Sequence, residues 1–382
     1  MSAVRLDGEA VQPTPFETTP RLAVLCSFSG AGGVERMVMN LVDEFDRLGR
    51  SVDLLLIRAE SAHLDKIPAT VNVINLHSRH TLTAIPALVH YLRRMRPAAL
   101  LAAKDRAGRA ALWARRLSGV QTRVVIRLGT NLSAALQGKW AIQRWARYWP
   151  MRLSYVAADA VIAVSRGVAD DTCRITGLSP ERIHVIRNPV VTPRLVELAS
   201  APAPHPWLGV ATVPLILGAG RLTRQKDFQT LVRAFARLRS RIPARLIVLG
   251  EGSDRAQLEV LAKRLGVADD VSLPGFTANP YAFMARADLF VLSSRWEGSP
   301  NVLTEAMALG TAVVATDCPS GPREILQAGA VAPLVPVGEE DALAEAMTAT
   351  LASPPDPARL RDAVEDYRVE HSAAEYLRVL GL

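Results

Sequence analysis

Cysteine is scarce. The 382 residues hold three, Cys26, Cys173 and Cys318, far apart and at no metal-ligand spacing, so neither a disulfide framework nor a zinc site is expected. Histidine is sparse as well, seven in all, with no HxxxH or HxH pair. No apolar run approaches the roughly 18 residues of a spanning helix. The first residues, MSAVRLDGEAVQPTPFETTP, lack an apolar stretch of signal-peptide length, so a cytoplasmic location is expected. Aromatic residues are 5% of the chain, while hydrophobic residues are 49% and charged residues 21%. That balance excludes bulk disorder.

Acid is missing from one long stretch. Between Arg79 and Arg152 stand fifteen Lys/Arg and one acid, Asp105, a local +14 in a chain whose net charge is +8. The remainder is therefore acidic. A localised basic region suggests an anionic partner such as a membrane surface, a phosphorylated lipid or a nucleotide. Nucleic acid is the weakest of these readings, because no recognition motif accompanies the charge.

Periodicity organises the rest. Residues 1–20 carry prolines and no period, and read as a flexible tail. RLAVLCSF (21–28) reads as a buried strand and SGAGG (29–33) as a glycine loop. Val34, Met37, Val38, Leu41, Val42, Phe45 and Leu48 then fall on one helix face, and SVDLLLI (51–57) is the next strand. Strand–helix alternation continues to RIHVIRNPV (182–190). The proline-bearing stretch 191–213 reads as a linker, and a second alternation runs from VPLILGAG (213–220) to APLVPV (332–337). The chain then becomes helical, over 339–351 and about 357–380. An N-terminal domain (21–190) and a C-terminal domain (214–352) are expected, both α/β with parallel sheets. The closing helices (353–382) are expected to return toward the first. Ligands in such sheets sit beyond the C-terminal strand ends, so the glycine-rich segments should line a cleft between the domains.

The richest segment is LSSRWEGSPNVLTEAMALGTAVVATDCPSGPREIL (292–326). Glu297 and Glu305 are separated by seven residues that include Gly298, Ser299, Pro300 and Asn301. Proline suits the first helical position, so a helix is expected to start at Pro300 with Ser299 as its cap. The free amides of its first turn can hold a phosphate, with one carboxylate on each side of it. Taken alone, the two glutamates read equally as surface acids near a helix start. Likewise Arg221 and Lys226, which follow a strand and a Gly-Ala-Gly turn, could be two solvated bases. No Asp-x-Asp stands at a strand end in metal-binding position, so no divalent ion is expected.

In combination these motifs say more. GRLTRQKD (220–227), GEG (250–252), GF (275–276) and the Glu-x7-Glu block with its EAMALG and ATDCPSGPREIL continuation resemble glycosyltransferase family 4. The similarity is dense over about 160–330 and looser over GAGGVERMVMNL (30–41). It implies a GT-B fold, with two Rossmann-like doubly wound domains facing across a cleft. It implies a retaining, metal-independent hexosyl- or N-acetylhexosaminyl-transferase with no cofactor. The donor would be a nucleoside-diphosphate sugar, a UDP-sugar by family habit, and the acceptor a lipid-linked sugar, glycolipid or polysaccharide.

The resemblance also carries roles. Glu297 is expected near the donor sugar and Glu305 on the ribose hydroxyls. Arg221 and Lys226, behind Gly220, are expected on the diphosphate. Gly298, Asn301 and Val302 would complete the nucleotide site, and Gly32 and Gly33 would let backbone approach the donor phosphates from the first domain. Electrostatics favours such a set independently, because negative charge grows on the leaving diphosphate.

Other residues are less determined. Asp105, in AAKDRAG (102–108), is a candidate for positioning the acceptor hydroxyl, or else an ion-pair partner for its arginine neighbours. Lys104, Arg127 and Asn131 are loop candidates. Ser165 reads as a strand-end turn and Asn188-Pro189 as a hinge. KWAIQRWARYWPMRLSY (139–155) alternates tryptophan and tyrosine with Lys139, Arg144, Arg147 and Arg152. It reads either as an interfacial helix touching an anionic membrane or as an ordinary helix with its tryptophans in the core. Two rival functions stay open: a GT-B epimerase or phosphorylase, and a non-catalytic nucleotide-sugar-binding protein.

Overall fold

The computed structural model describes residues 20–28, 32–60, 67–209 and 213–382. The expected tail, apart from Pro20, and residues 29–31 of the glycine loop lie outside them. Runs such as LAVLCSF and VVAT are apolar on both sides of the chain, which suits strands covered on both faces. They build two sheets. The first contains β1 (Leu22–Phe28), β2 (Val52–Ala59), β3 (Asn72–Asn75), β4 (Ala99–Ala102), β5 (Arg123–Leu128), β6 (Ala160–Ala163) and β7 (Ile183–Val185), in the order β3-β2-β1-β4-β5-β6-β7. The second contains β8 (Leu215–Ala219), β9 (Arg245–Leu249), β10 (Val271–Gly275), β11 (Leu289–Leu292), β12 (Val313–Thr316) and β13 (Leu334–Val335), in the order β10-β9-β8-β11-β12-β13. Every pairing is parallel. Each sheet carries an apolar core on both faces.

Strand order reverses between β1 and β4 in the first sheet and between β8 and β11 in the second. At such switch points the loops diverge and leave a crevice. The Gly33 loop and Lys104–Asp105 stand at the first crevice; the Arg221–Lys226 and Glu297 loops stand at the second.

The stretch 191–213 holds the helix Pro193–Ser200, started by Thr192 accepting from the Leu195 amide at 3.2 Å. Leu195 and Ala199 are buried in the second domain's core. The C-terminal region is broken into helices Pro357–Asp362 and Val369–Leu380. The latter returns to the first sheet, where Ala373, Tyr376, Leu377, Val379 and Leu380 are buried beside Val24, Leu41 and Phe45. The two passes between domains run side by side: the Val190 and Val191 amides donate to the Tyr367 carbonyl, and the Val369 amide donates to Val191.

The tryptophans of the segment 139–155 are not core. Trp140 is 79% exposed and Trp145 55%, with Trp149, Ile142 and Leu153 exposed around them on or beside the helix Ala141–Ser154. Only Met151 of that helix is fully buried. Among the described residues no helix is long and apolar enough to cross a membrane.

Because Tyr376 is fully buried, Tyr376→Ala should destabilise the protein by about 3–5 kcal/mol, as other large-to-small aromatic truncations do. Urea unfolding followed by circular dichroism measures this. A loss under about 0.5 kcal/mol, the size of an ordinary surface change, would mean that the returning helix is not part of the first core.

Candidate active site

The second domain supplies most of the charge. Its loop 220–227 and the loop after β11 are joined by three bonds: Arg295 N to Gln225 O at 2.8 Å, Gln225 Nε2 to Trp296 O at 3.0 Å, and Ser293 Oγ to Lys226 O at 2.8 Å. This pairing aims Lys226 at Glu297. Its Nζ lies 2.6 Å from Glu297 Oε1, and Ser294 Oγ donates to the same oxygen at 2.7 Å. Gly220 makes room for the lysine, since a Cβ there would stand 3.0 Å from Lys226 Cε. Arg221 is exposed and its guanidinium has no partner among the described residues. Cys318 lies near this pair; burial first, then Glu297, pushes its thiol up, so it stays protonated and inert.

Glu297 leads into the helix Asn301–Ala308. The helix starts one residue later than expected, with Pro300 rather than Ser299 as the N-cap, and no side chain caps it. The Leu303 and Thr304 amides return to the Pro300 carbonyl. The Asn301 and Val302 amides find no acceptor among the described residues. A first turn left open in this way attracts an anion. One turn on, Glu305 is only 2% exposed. Its Oε1 lies 3.5 Å from Tyr281 Oη and 3.5 Å from Arg36 Nη1, while its Oε2 has no partner.

The first domain closes over this surface. Asn301 Nδ2 donates to the Gly33 carbonyl at 3.3 Å, and a Cβ on Gly33 would stand 3.5 Å from that nitrogen. Gly32 caps the helix Gly33–Arg47 and donates its amide to Glu35. Asn188 Nδ2 donates to Asn301 Oδ1 at 2.7 Å, and Asn188 Oδ1 accepts from Arg127 Nη2 at 2.7 Å. Arg127 is thus not a loop residue. It is buried in β5, and burial lowers its pKa from the ordinary arginine value. Ser165 Oγ donates to the Gly298 carbonyl at 2.7 Å. Gly298 itself meets the other domain so closely that a Cβ would lie 2.2 Å from the Gly129 carbonyl oxygen.

Asp105 is not brought to this cluster. Both of its oxygens are engaged within the first domain, by Arg109 at 3.1 Å and by the Tyr155 hydroxyl at 3.0 Å. It forms the ion pair with an arginine neighbour that the sequence also allowed. Lys104 is exposed beside it. Asn131 caps a short helix through Ala134 and donates to Ser320 Oγ at 2.9 Å across the domain boundary.

Two residues here carried no role in the sequence. Arg36 lies inside the quoted GAGGVERMVMNL, yet nothing in a helical face announces a contact 269 residues away in Glu305. Glu324, inside PSGPREIL, reaches the first domain. It accepts from the Arg166 and Gly167 amides at 3.0 Å each and from Arg187 Nη1 at 2.7 Å. Burial works against its ionised form, but the Arg187 hydrogen bond and the two amides outweigh it and hold the carboxyl below its usual range.

Known proteins share this architecture and sequence. Residues 31–194 match the profile described as Glycosyltransferase Family 4, and residues 208–366 match that of Glycosyl transferases group 1. The lipopolysaccharide core biosynthesis glycosyltransferase LpsE of Rhizobium meliloti is 30% identical over 326 residues, 84% of this chain and 86% of that protein. The chain belongs to glycosyltransferase family 4. A second relative is the N-acetylgalactosamine-N,N'-diacetylbacillosaminyl-diphospho-undecaprenol 4-alpha-N-acetylgalactosaminyltransferase of Campylobacter jejuni. It is 31% identical over 236 residues, and the match spans 62% of each chain, less than two thirds of that enzyme's length. Among solved structures, Anabaena HepE in complex with UDP and glucose superposes with a TM-score of 0.75 at 20% identity, covering 95% of this chain and 99% of that one. The apo galactosyltransferase WaaB superposes at 0.71 and 19%, covering 94% and 99%. The fold of this glycosyltransferase is therefore GT-B.

Gly298→Ala should force the lobes of the transferase apart, at about 1–3 kcal/mol of overpacking strain. Small-angle scattering should report a larger radius of gyration and a thermal melt a lower midpoint. If neither changes, the Gly129–Gly298 approach is looser than described.

Proposed function

We propose that this glycosyltransferase moves a sugar, with retention of configuration and without a metal ion, from a UDP-sugar to a hydroxyl of a lipid-linked or glycolipid acceptor. One observation carries the reading. A buried carboxylate bonded to Lys226 at 2.6 Å leads into an uncapped helix start, and a second buried carboxylate one turn on keeps an oxygen without a partner. A nucleoside-diphosphate sugar matches that sequence of needs. Ribose hydroxyls would donate to Glu305, and the diphosphate would accept from the Asn301 and Val302 amides and from Lys226 and Arg221. The sugar would lie by Glu297 and Gly298, under Gly32 and Gly33.

As the sugar–phosphate bond breaks, charge accumulates on the diphosphate. Fixed cations and amides aimed at it stabilise the transition state by about 2.7–4 kcal/mol per well-placed donor, if other oxyanion sites are a guide. The acceptor attacks on the face the diphosphate leaves, and the departing phosphate oxygen takes its proton. No protein base is then required, which is consistent with Asp105 being ion-paired to Arg109 and bonded to Tyr155. Arg221 and Lys226 supply the positive charge that a divalent ion supplies in other transferases. The uridine nucleotide in HepE and the lipid-linked and lipopolysaccharide acceptors in the relatives' names support the choice of donor and acceptor class.

A bilayer is the natural place to meet such an acceptor. Exposed Trp140, Trp145 and Trp149 beside Arg144, Arg147 and Lys139 present the mixture of aromatic and cationic side chains that suits an anionic lipid interface. Peripheral attachment through the helix Ala141–Ser154 follows from this reading.

A screen of nucleotide sugars for slow hydrolysis, read as released nucleotide, tests the donor without knowledge of the acceptor. Lys226→Ala should cut turnover on the donor so found by about 10²–10³-fold; full activity would remove the diphosphate role. Chelation by EDTA should leave the rate unchanged, and loss restored by magnesium would contradict metal independence. In co-sedimentation, vesicles with anionic lipid should carry down more protein than neutral ones, and Trp145→Ala with Trp149→Ala should abolish the difference. Equal recovery with both vesicle types would rule out the membrane contact.

A further inference from the structure

We propose that Arg36, on the first domain, is a positioning residue for Glu305 on the second, so that the ribose seat is completed only when the two domains are together. The inference rests on the reading of Glu305 as the ribose ligand and adds to it the residue that orients that ligand.

The geometry is asymmetric. Arg36 Nη1 donates to the Tyr281 hydroxyl at 3.0 Å and lies 3.5 Å from Glu305 Oε1. The Tyr281 hydroxyl points at the same oxygen, also at 3.5 Å. The Arg36 guanidinium carbon stands 5.5 Å from the centre of the Tyr281 ring. Every contact on the carboxylate therefore falls on Oε1, and Oε2 is buried with none. A carboxylate has acceptor capacity on both oxygens, and a buried polar atom left without a donor is unfavourable by about 1–3 kcal/mol. Such an arrangement persists where a ligand supplies the missing donor, and hydroxyl groups are the donors a ribose offers.

Pinning one oxygen fixes the other. A carboxyl group turns about its last bond unless something holds it. Tyr281 belongs to the same domain as Glu305, and its 3.5 Å contact is long for a hydrogen bond. The arginine adds a charge and a planar fork that stacks on the ring, which a lysine does not reproduce. The Glu305 charge is correspondingly the largest influence on Arg36, raising its pKa above the ordinary arginine value. Arg36 sits at the start of the helix Gly33–Arg47, directly behind the Gly33 carbonyl that Asn301 grips. Domain approach and carboxylate orientation thus arrive together, and by linkage a ligand that needs the oriented carboxylate favours the closed arrangement.

A simple strut between domains would make a different prediction, because its loss would weaken every nucleotide alike. Calorimetric titration with UDP and with 2′,3′-dideoxy-UDP separates the two. Arg36→Gln should weaken UDP by about tenfold, within the usual range of coupling between sites, and leave the dideoxy nucleotide unchanged. Arg36→Lys, the milder change should the glutamine variant fold poorly, should lose less and again only with UDP. Glu305→Gln with Arg36→Gln should bind UDP no worse than Glu305→Gln alone, since both act through one carboxylate. Equal losses with both nucleotides, or unchanged or tighter UDP binding in Arg36→Gln, would overturn the inference. Glu305→Gln on its own keeps the failures apart: if it binds UDP normally the ribose reading falls, and if it alone loses affinity only the role of Arg36 falls.

Discussion

A carboxylate taken out of water is unfavourable by several kcal/mol unless a cation or hydrogen-bond donors meet it. The cleft of this glycosyltransferase buries two, Glu297 and Glu305. Each is met by a basic side chain brought from elsewhere: Lys226 from the loop after β8, and Arg36 from the opposite domain. Much of the local architecture follows from that requirement. The two loops of the second domain are bonded to each other because the lysine has to be aimed, and Gly220 is bare because the lysine stem passes over it. Each carboxylate is met on one oxygen, while Glu305 Oε2 keeps no partner among the described residues.

The domains hold each other through polar contacts concentrated around the PSG loop and the start of the helix Asn301–Ala308. Asn188 links buried Arg127 to Asn301, Asn131 reaches Ser320, and Ser165 reaches the Gly298 carbonyl. Glu324 lends its carboxylate to the N-terminus of the helix Arg166–Thr176, where the helix dipole favours an anion. Interfaces of this polar kind permit relative motion more readily than apolar ones. The tightest point, Gly298 against Gly129, lies next to Glu297, so changes in domain approach are felt first where the sugar is expected.

Much of this was legible in the residues. Strand runs such as LAVLCSF and ADLFVLSS are apolar on both faces because helices cover both, and period and length suffice to find them. The Glu-x7-Glu block, the Gly220–Lys226 turn and the Gly33 loop were visible because their spacing is local. What escaped notice was long-range. Arg36 looks like a surface arginine on an amphipathic helix, and only the folded cleft brings it to Glu305. Asp105 allowed either an acceptor-positioning role or an ion pair with its arginine neighbours, and the structure pairs it with Arg109 at i,i+4. Pro300 could start a helix or cap it, a difference of one residue that propensity does not resolve. The tryptophans of 139–155 fit a core or an interface equally by period alone, and their exposure excludes the core.

The paired crossing at Val191 and Tyr367–Val369 bears on how the molecule is made. The first sheet is complete at β7, but the face that the helix Gly33–Arg47 covers in part is finished only when the helix Val369–Leu380 arrives with Tyr376 and Leu380. The entire second domain is translated in between. On a ribosome adding about 5–20 residues per second, the first lobe waits roughly 10–40 s for that helix, while the second core closes slightly earlier with Leu360, Val364 and Tyr367. The lobe begun first is therefore the lobe finished last.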